Sequence, residues 1–118
     1  PGPIGVHPSG KFVYVGERIS GGSAMDSITL YSVNANDYTL TYQSRISTDG
    51  DPGWIEMDPQ GQFLVVRERN GSQPSLIEVF TINQTTGALT NTGQMPSSGG
   101  NGSSLYPSIT LVAPLQVQ

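Results

Sequence analysis

The sequence predicts an all-β protein, a β-propeller with about two four-stranded antiparallel blades plus the first strand of a third. The segment from Pro1 to Arg18 returns without a gap 51 residues later, at 52–69, and it starts again at Pro107. The composition is typical of turns and short strands, with 15 Gly, 9 Pro and only 12% charged residues. No segment has a sustained helical period. Repeats of about 50 residues made of short strands are typical of propeller blades.

The repeat also divides the chain. We assign residues 1–50 to a first blade, 51–106 to a second blade, and 107–118 to a C-terminal strand that closes or starts a further blade. The chain does not begin with Met, and it begins and ends in the same phase of the repeat. We therefore expect it to be part of a longer polypeptide.

Each blade is predicted to hold four strands. The first ends at a Pro-Ser-Gly or Pro-Gln-Gly turn, in which Pro presets φ and Gly accepts a positive φ. The second is rich in β-branched and aromatic residues. The bounds predicted for these two strands are Ile4–His7 and Lys11–Gly16 in the first blade, and Trp54–Asp58 and Gln62–Arg67 in the second.

The second strand is apolar on both faces. Val13 and Val15 alternate with Phe12 and Tyr14, and successive side chains of a strand point to opposite faces. We therefore expect both faces of this strand to be buried between stacked sheets.

A loop containing Gly and Ser separates the second strand from the third, and a hairpin turn leads to a fourth, outer strand. The loops are predicted at 19–26 and 70–75, the third strands at Ser27–Asn34 and Leu76–Asn83, and the hairpin turns at 36–40 and 85–89.

The charge and composition exclude several classes of partner. The net charge is −4 and only five residues are Lys or Arg, so we expect no nucleic-acid partner. No apolar run has membrane-spanning length, so no membrane partner is expected. The chain contains no Cys, so the compartment stays open between cytoplasm and secretion. No cofactor and no metal site are predicted.

Three motifs carry a resemblance to a known family. The first is Pro-x-x-Ile-x-x-x-Pro-x-Gly-x-Phe, the second is Ile-x-[Leu/Val]-[Tyr/Phe]-x-[Val/Ile]-Asn, and the third is Thr-Gly-x-Leu in the second blade. The pattern resembles the seven-bladed propeller lactonases, which group 6-phosphogluconolactonase-like and carboxymuconate-cyclase-like proteins. The resemblance covers essentially the whole chain. It implies that these are the last two blades and the C-terminal segment, and that the complete ring hydrolyses a sugar lactone of the 6-phosphogluconolactone type.

One departure from that family leaves an alternative open. The family often carries Arg directly after the Pro that starts a blade, whereas this sequence has Gly2, Gly53 and Ser108 at the matching positions. The departure favours a non-enzymatic propeller that binds carbohydrate or a protein partner, and the blade motifs favour the lactonase.

The charged residues at the ends of the second strands are the main candidates for a site. Glu17-Arg18 and Glu68-Arg69 occupy matching positions, and loops at this end of a blade open on one face of a propeller. Together with Asp49 and Asp51 they are expected to converge near one end of the channel. The predicted catalytic residues are Glu17 and Glu68, and the predicted substrate-binding residues are Arg18, Arg67, Arg69 and Trp54.

Each candidate also has a structural interpretation. The Glu-Arg pairs repeat in both blades, as ion pairs between blades would, and Trp54 would pack at the inner rim instead of stacking on a sugar. His7, the only histidine, is predicted to stabilise the adjacent turn, where the second copy has Asp58. Sequons at Asn70, Asn83 and Asn101 would be glycosylated only in a secreted protein.

Two blades cannot close a ring, so we expect a partner for the exposed sheet faces. The expected partners are the remaining blades of the same polypeptide, or copies of this chain arranged as three pairs of blades or as an open assembly. The remaining blades are favoured because the family builds all seven on one chain.

Overall fold

The computed structural model describes residues 2–18, 26–71 and 73–101, and these contain eight strands and no helix. In chain order the strands are β1 (Ile4–Val6), β2 (Phe12–Glu17), β3 (Ser27–Val33), β4 (Leu40–Ser47), β5 (Asp51–Met57), β6 (Phe63–Asn70), β7 (Gln73–Ile82) and β8 (Leu89–Asn101). They form two four-stranded antiparallel sheets, sheet A (β1-β2-β3-β4) and sheet B (β5-β6-β7-β8). The predicted all-β class is confirmed. The predicted strand at 107–118 and most of the first loop lie outside the described residues.

The predicted second loop, at 70–75, is wrong. β6 continues to Asn70 and β7 begins at Gln73, and these two residues are paired. Gly71 has a φ of +58°, which lets the chain reverse within the two residues between the strands. β5 also begins earlier than predicted, because Asp51 pairs with Arg69 and the ladder shifts register between Pro52 and Trp54.

The core lies between the two sheets. Apolar side chains at alternate positions of β2 and β3 face those of β5, β6 and β7, as the pleat of a strand requires. The core residues are Phe12, Tyr14, Ile28 and Leu30 from sheet A, and Ile55, Leu64, Val66, Phe80 and Ile82 from sheet B.

The expectation that both faces of β2 are buried is confirmed for one face and stays a prediction for the other. Phe12 and Tyr14 are buried against sheet B, whereas Val13 and Val15 on the other face are only half-buried. The two described sheets cover only one face of β2, so the apolar pattern there has no described neighbour. β4 is exposed along almost its whole length, as expected of an outer strand.

Polar contacts between the sheets supplement the apolar core. The Tyr14 hydroxyl donates to the Gly87 carbonyl at 2.6 Å, and burial raises the pKa of this phenol, which keeps it a donor. His7 Nε2 is 2.9 Å from the Gly61 carbonyl oxygen, while Nδ1 contacts Ser9 Oγ at 2.8 Å and accepts from the Ser9 N–H. The predicted turn role of His7 is therefore confirmed. The bond to Gly61 additionally ties the turn to sheet B.

Gly61→Ala is expected to destabilise the protein more than Gly10→Ala. These glycines occupy matching turns and both have positive φ, +68° and +74°, so each substitution carries backbone strain of about 1 kcal/mol. At Gly61 the new Cβ would overlap the His7 imidazole, whereas at Gly10 it would meet no atom of the described residues within 4 Å. Urea unfolding should give Gly61→Ala the larger loss, by about 1–3 kcal/mol.

The pair His7→Ala and Gly61→Ala provides the control. If the overlap is the cause, the double variant is less destabilised than the sum of the two single variants. Equal losses for the two glycine variants, with additive effects in the double variant, would contradict the proposed packing of this turn.

Candidate functional site

A polar cleft opens at one end of the two sheets, beside the segment that joins them. The volume of this polar cleft is about 430 Å³. The connecting segment 48–50 forms one side, and the ends of β2 and β6 form the others. The cleft is lined by Arg18, Asp26, Asp49, Gly50, Asp51, Arg69, Asn70 and Gly71.

Asp51 is the central charge of the polar cleft. Its Oδ2 lies 3.7 Å from Arg18 Nε and accepts a hydrogen bond from Arg69 Nη2. The Asp51 side chain is only 14% exposed, whereas that of Arg18 is 62% exposed. The carboxylate is therefore held between two guanidinium groups, and the guanidinium of Arg18 remains accessible to solvent and to a ligand.

Four of the six predicted site residues do not line the polar cleft: Glu17, Arg67, Glu68 and Trp54. Glu17 accepts a hydrogen bond from Arg45 Nη2 of β4 at 2.7 Å, an ion pair within sheet A. Arg67 is buried and donates to Ser75 Oγ at 3.1 Å. Of the predicted residues, the structure brings Arg18 and Arg69 together with Asp49 and Asp51.

Glu68 lies beneath the polar cleft, fully buried. Its Oε2 accepts the Gly50 N–H at 2.9 Å, and Glu78, also buried, accepts the Asp49 N–H at 2.8 Å on Oε1. The Asn91 amide donates to the other oxygen of Glu78. Burial, a hydrogen bond with the Glu78 carboxyl and the charge of Glu78 raise the pKa of Glu68 to about 10. Glu68 therefore keeps its proton at neutral pH.

Sequence reasoning did not single out Glu78. The signal was its position in β7, where it points to the same face as Phe80 and Ile82, both of which belong to the core. A carboxylate in that register must be buried, and buried carboxyls need hydrogen-bond donors.

Trp54 lines a second cleft, between the first strands of the two sheets. We call it the inner-strand cleft; its volume is about 420 Å³, and its wall includes Ile4, Val6 and Met57. Ile4 and Val6 are exposed, at 66% and 59%. The indole N–H of Trp54 is buried and makes no hydrogen bond within the part of the chain that is described.

Two further features were searched for among the described residues: a group of metal ligands and a membrane-spanning helix. Among residues 2–18, 26–71 and 73–101, no three acidic or His side chains are grouped so that they could hold a metal ion. In the same ranges there is no helix long and apolar enough to cross a membrane.

Each sheet consists of four consecutive strands in sequence order and corresponds to one copy of the repeat, which is the construction of β-propeller blades. Within that class, the profile of the family described as "Lactonase, 7-bladed beta-propeller" matches residues 1–104. The chain belongs to this family.

Relatives and solved structures agree with that membership. The chain is 27% identical over 97 residues to a 6-phosphogluconolactonase of Serratia proteamaculans, covering 82% of this chain and 27% of the relative. It is 30% identical over 91 residues to one from Buchnera aphidicola, covering 77% and 25%. A crystal structure from Bacteroides fragilis, provisionally named a 6-phosphogluconolactonase, superposes with a TM-score of 0.71 at 27% identity, over 80% of this chain and 25% of that one. The chain thus spans about a quarter of the length of these proteins.

The raised pKa of Glu68 predicts a pH-dependent stability. Between its usual value of 4.5 and about 10, the folded protein holds a proton on Glu68 that the unfolded chain releases. The free energy of unfolding must therefore fall as the pH rises through this window. Glu68→Gln carries a neutral amide and lacks this contribution. Between about pH 6 and pH 9, the Tm of the wild type should fall relative to that of Glu68→Gln, measured by circular dichroism.

Glu17→Gln is the matched control, because Glu17 occupies the same position in the first sheet but is ion-paired with Arg45. It should keep the pH slope of the wild type. Parallel Tm curves for the wild type and Glu68→Gln would show that Glu68 is ionised in the folded protein.

Proposed function

We propose that these two blades form part of a seven-bladed ring that hydrolyses a sugar lactone of the 6-phosphogluconolactone type. The observation that carries the proposal is the match of residues 1–104 to the lactonase propeller family. Relatives named 6-phosphogluconolactonase support the substrate class. The remaining blades of the ring are proposed to lie on the same polypeptide, since the chain spans about a quarter of those relatives.

In this proposal the polar cleft binds the anionic end of the substrate. Guanidinium groups present a planar fork of donors that suits phosphate oxygens. Arg18 offers such a group, with its side chain 62% exposed, and Asp51 holds it in place. Attack of water on the lactone carbonyl breaks the ring C–O bond and yields the open hydroxy acid. Glu68 keeps its proton and does not line the cleft, so we assign it no part in taking a proton from the attacking water.

Arg18→Gln in the complete ring should raise the KM for a phosphorylated sugar lactone about tenfold, with a smaller effect on kcat. The loss of a charge-assisted hydrogen bond of about 1.5 kcal/mol corresponds to that factor. The KM for the unphosphorylated lactone should change little, because that substrate offers no phosphate. The assay follows the acid released from each lactone at constant pH.

Lys11→Gln is the control of equal charge. Lys11 is exposed at the β1–β2 turn and is not among the residues that line the polar cleft, so its removal changes the net charge without touching the site. An equal effect of Arg18→Gln on both lactones would argue against phosphate recognition by Arg18. No lactone turnover by the wild-type ring would refute the proposed reaction itself.

A second candidate function is carbohydrate binding without catalysis. It is favoured by Gly2 and Gly53, which supply no side chain where the family often has Arg, and by Trp54 beside the exposed Ile4 of the inner-strand cleft. Small-molecule sites are lined mainly by apolar and aromatic side chains with a few polar groups that fix orientation. Calorimetric binding of a sugar that is lost in Trp54→Ala, together with an absence of lactone turnover, would favour this candidate over the lactonase.

A further inference from the structure

Two buried carboxyl groups hold the segment that joins the sheets. Glu68 of β6 is 0% exposed and Glu78 of β7 is 1% exposed. Their acceptor oxygens receive the backbone N–H groups of Gly50 and Asp49, at 2.9 and 2.8 Å. Consecutive N–H groups of the segment are thus bound by side chains rather than by a strand ladder.

The two carboxyls cannot both be ionised at low cost. Like charges placed together away from water raise the free energy of the doubly ionised state, so one group keeps a proton. Glu68 Oε1 is buried and is reached by no donor. Glu68 pairs with Leu76 and Val66 pairs with Glu78, so the two glutamates are diagonal neighbours on the same face of β6 and β7. Glu78 is therefore the neighbouring carboxyl to which a proton on Glu68 Oε1 could be donated. The two oxygens of Glu78 already receive the Asp49 N–H and the Asn91 amide.

We propose that Glu68 and Glu78 share one proton and act as positioning residues, fixing the segment 48–50 and through it the place of Asp51 between Arg18 and Arg69. The effect on turnover rests on the proposed lactonase function; the shared proton and the fixed segment do not.

The segment has little freedom to occupy another place. A Cβ on Gly50 would lie 2.5 Å from the Arg69 carbonyl oxygen and 3.1 Å from Glu68 Cβ, so the backbone there runs tightly along the end of β6. Thr48 Oγ1 donates to the Gly50 carbonyl at 2.8 Å, and the Thr48 N–H donates to the Asp26 carbonyl. Asp51 follows immediately, so a shift of the segment would displace its carboxylate from the two guanidinium groups.

The first sheet shows that the pair is not a general feature of the repeat. Glu17 matches Glu68, but Glu78 is matched by Thr29. There Arg45 contacts both residues, at 2.7 Å to Glu17 Oε2 and 3.4 Å to Thr29 Oγ1. An ion pair in sheet A thus stands where sheet B, the other described sheet, has two carboxyls on neighbouring strands.

The test compares Glu68→Gln with Glu78→Gln in the complete polypeptide that carries these blades. A glutamine presents a donor group, NH₂, and an acceptor, C=O, where a protonated glutamate presents an O–H and a C=O. Glu68→Gln should therefore keep the wild-type Tm or raise it. At position 78 the glutamine NH₂ would face either the Asn91 amide or the Asp49 N–H, leaving a buried donor without an acceptor. Glu78→Gln should therefore lower the Tm by several degrees.

Infrared difference spectroscopy gives a readout that a purely structural role would not move. At neutral pH the wild type should show the C=O stretch of a protonated carboxyl. Glu68→Gln should abolish this band, and Glu17→Gln should keep it, because Glu17 is ion-paired with Arg45. If the lactone is turned over, kcat/KM should fall at least about tenfold further in Glu78→Gln than in Glu68→Gln, measured well below both Tm values.

The results separate this inference from the proposed reaction. The band and the unequal Tm values would support the shared proton even if no lactone were hydrolysed, and the reaction alone would then be refuted. Absence of the band from the wild type, its persistence in Glu68→Gln, or equal destabilisation by the two glutamine variants would overturn the inference. Equal kcat/KM values in the two variants, with active wild type, would overturn the positioning role.

Discussion

The joining of the two sheets depends on how the short segment 48–50 satisfies its backbone. The chain must leave the outer strand of one sheet and start the inner strand of the next within three residues. The Thr48 N–H still donates to the Asp26 carbonyl at the end of the β3–β4 pairing, but the Asp49 and Gly50 N–H groups donate to side chains. Buried backbone donors without acceptors are costly. Side chains of the second sheet supply the acceptors, through Glu68 and Glu78. The position of the polar cleft and the burial of two carboxyls both follow from this constraint.

The fold could be predicted from the sequence because two patterns in it are periodic: the repeat of about 50 residues and the alternation of side chains along each strand. Alternation along β2 assigned Phe12 and Tyr14 to one face, and the structure buries that face against sheet B. The same alternation could not state whether a neighbour covers Val13 and Val15, since that depends on a sheet outside the described residues. The tight reversal at Gly71 was not predicted, because Gly and Ser between two repeated strands are also typical of a longer loop. Asn70 pairs with Gln73, and the positive φ of Gly71 lets the chain reverse directly after β6.

The candidate site was only partly predictable, for a related reason. The spacing indicated that Arg18, Arg69 and Asp51 converge, and they do. Glu68 stands between Arg67 and Arg69 in the sequence, but on a strand the middle residue points to the opposite face. The alternation of faces along β6 therefore predicts that Glu68 lies on the opposite face from Arg67 and Arg69. Only the packing of the two sheets shows that its face is buried.

Repetition and asymmetry carry different information in this chain. A glutamate that returns in each blade, as Glu17 and Glu68 do, indicates a role that each blade needs. In sheet A, Arg45 of the outer strand forms an ion pair with it. In sheet B the same position is buried against sheet A and lies diagonally beside Glu78 on the neighbouring strand. Burial and the Glu78 carboxyl raise the pKa of Glu68, so a proton takes the place of a counter-ion. What distinguishes the two blades is therefore the partner of the repeated residue rather than the residue itself. In a protein built of similar blades, a specialised site is accordingly to be sought at the positions where matching residues differ. Thr29 of sheet A and the matching Glu78 of sheet B are such a position.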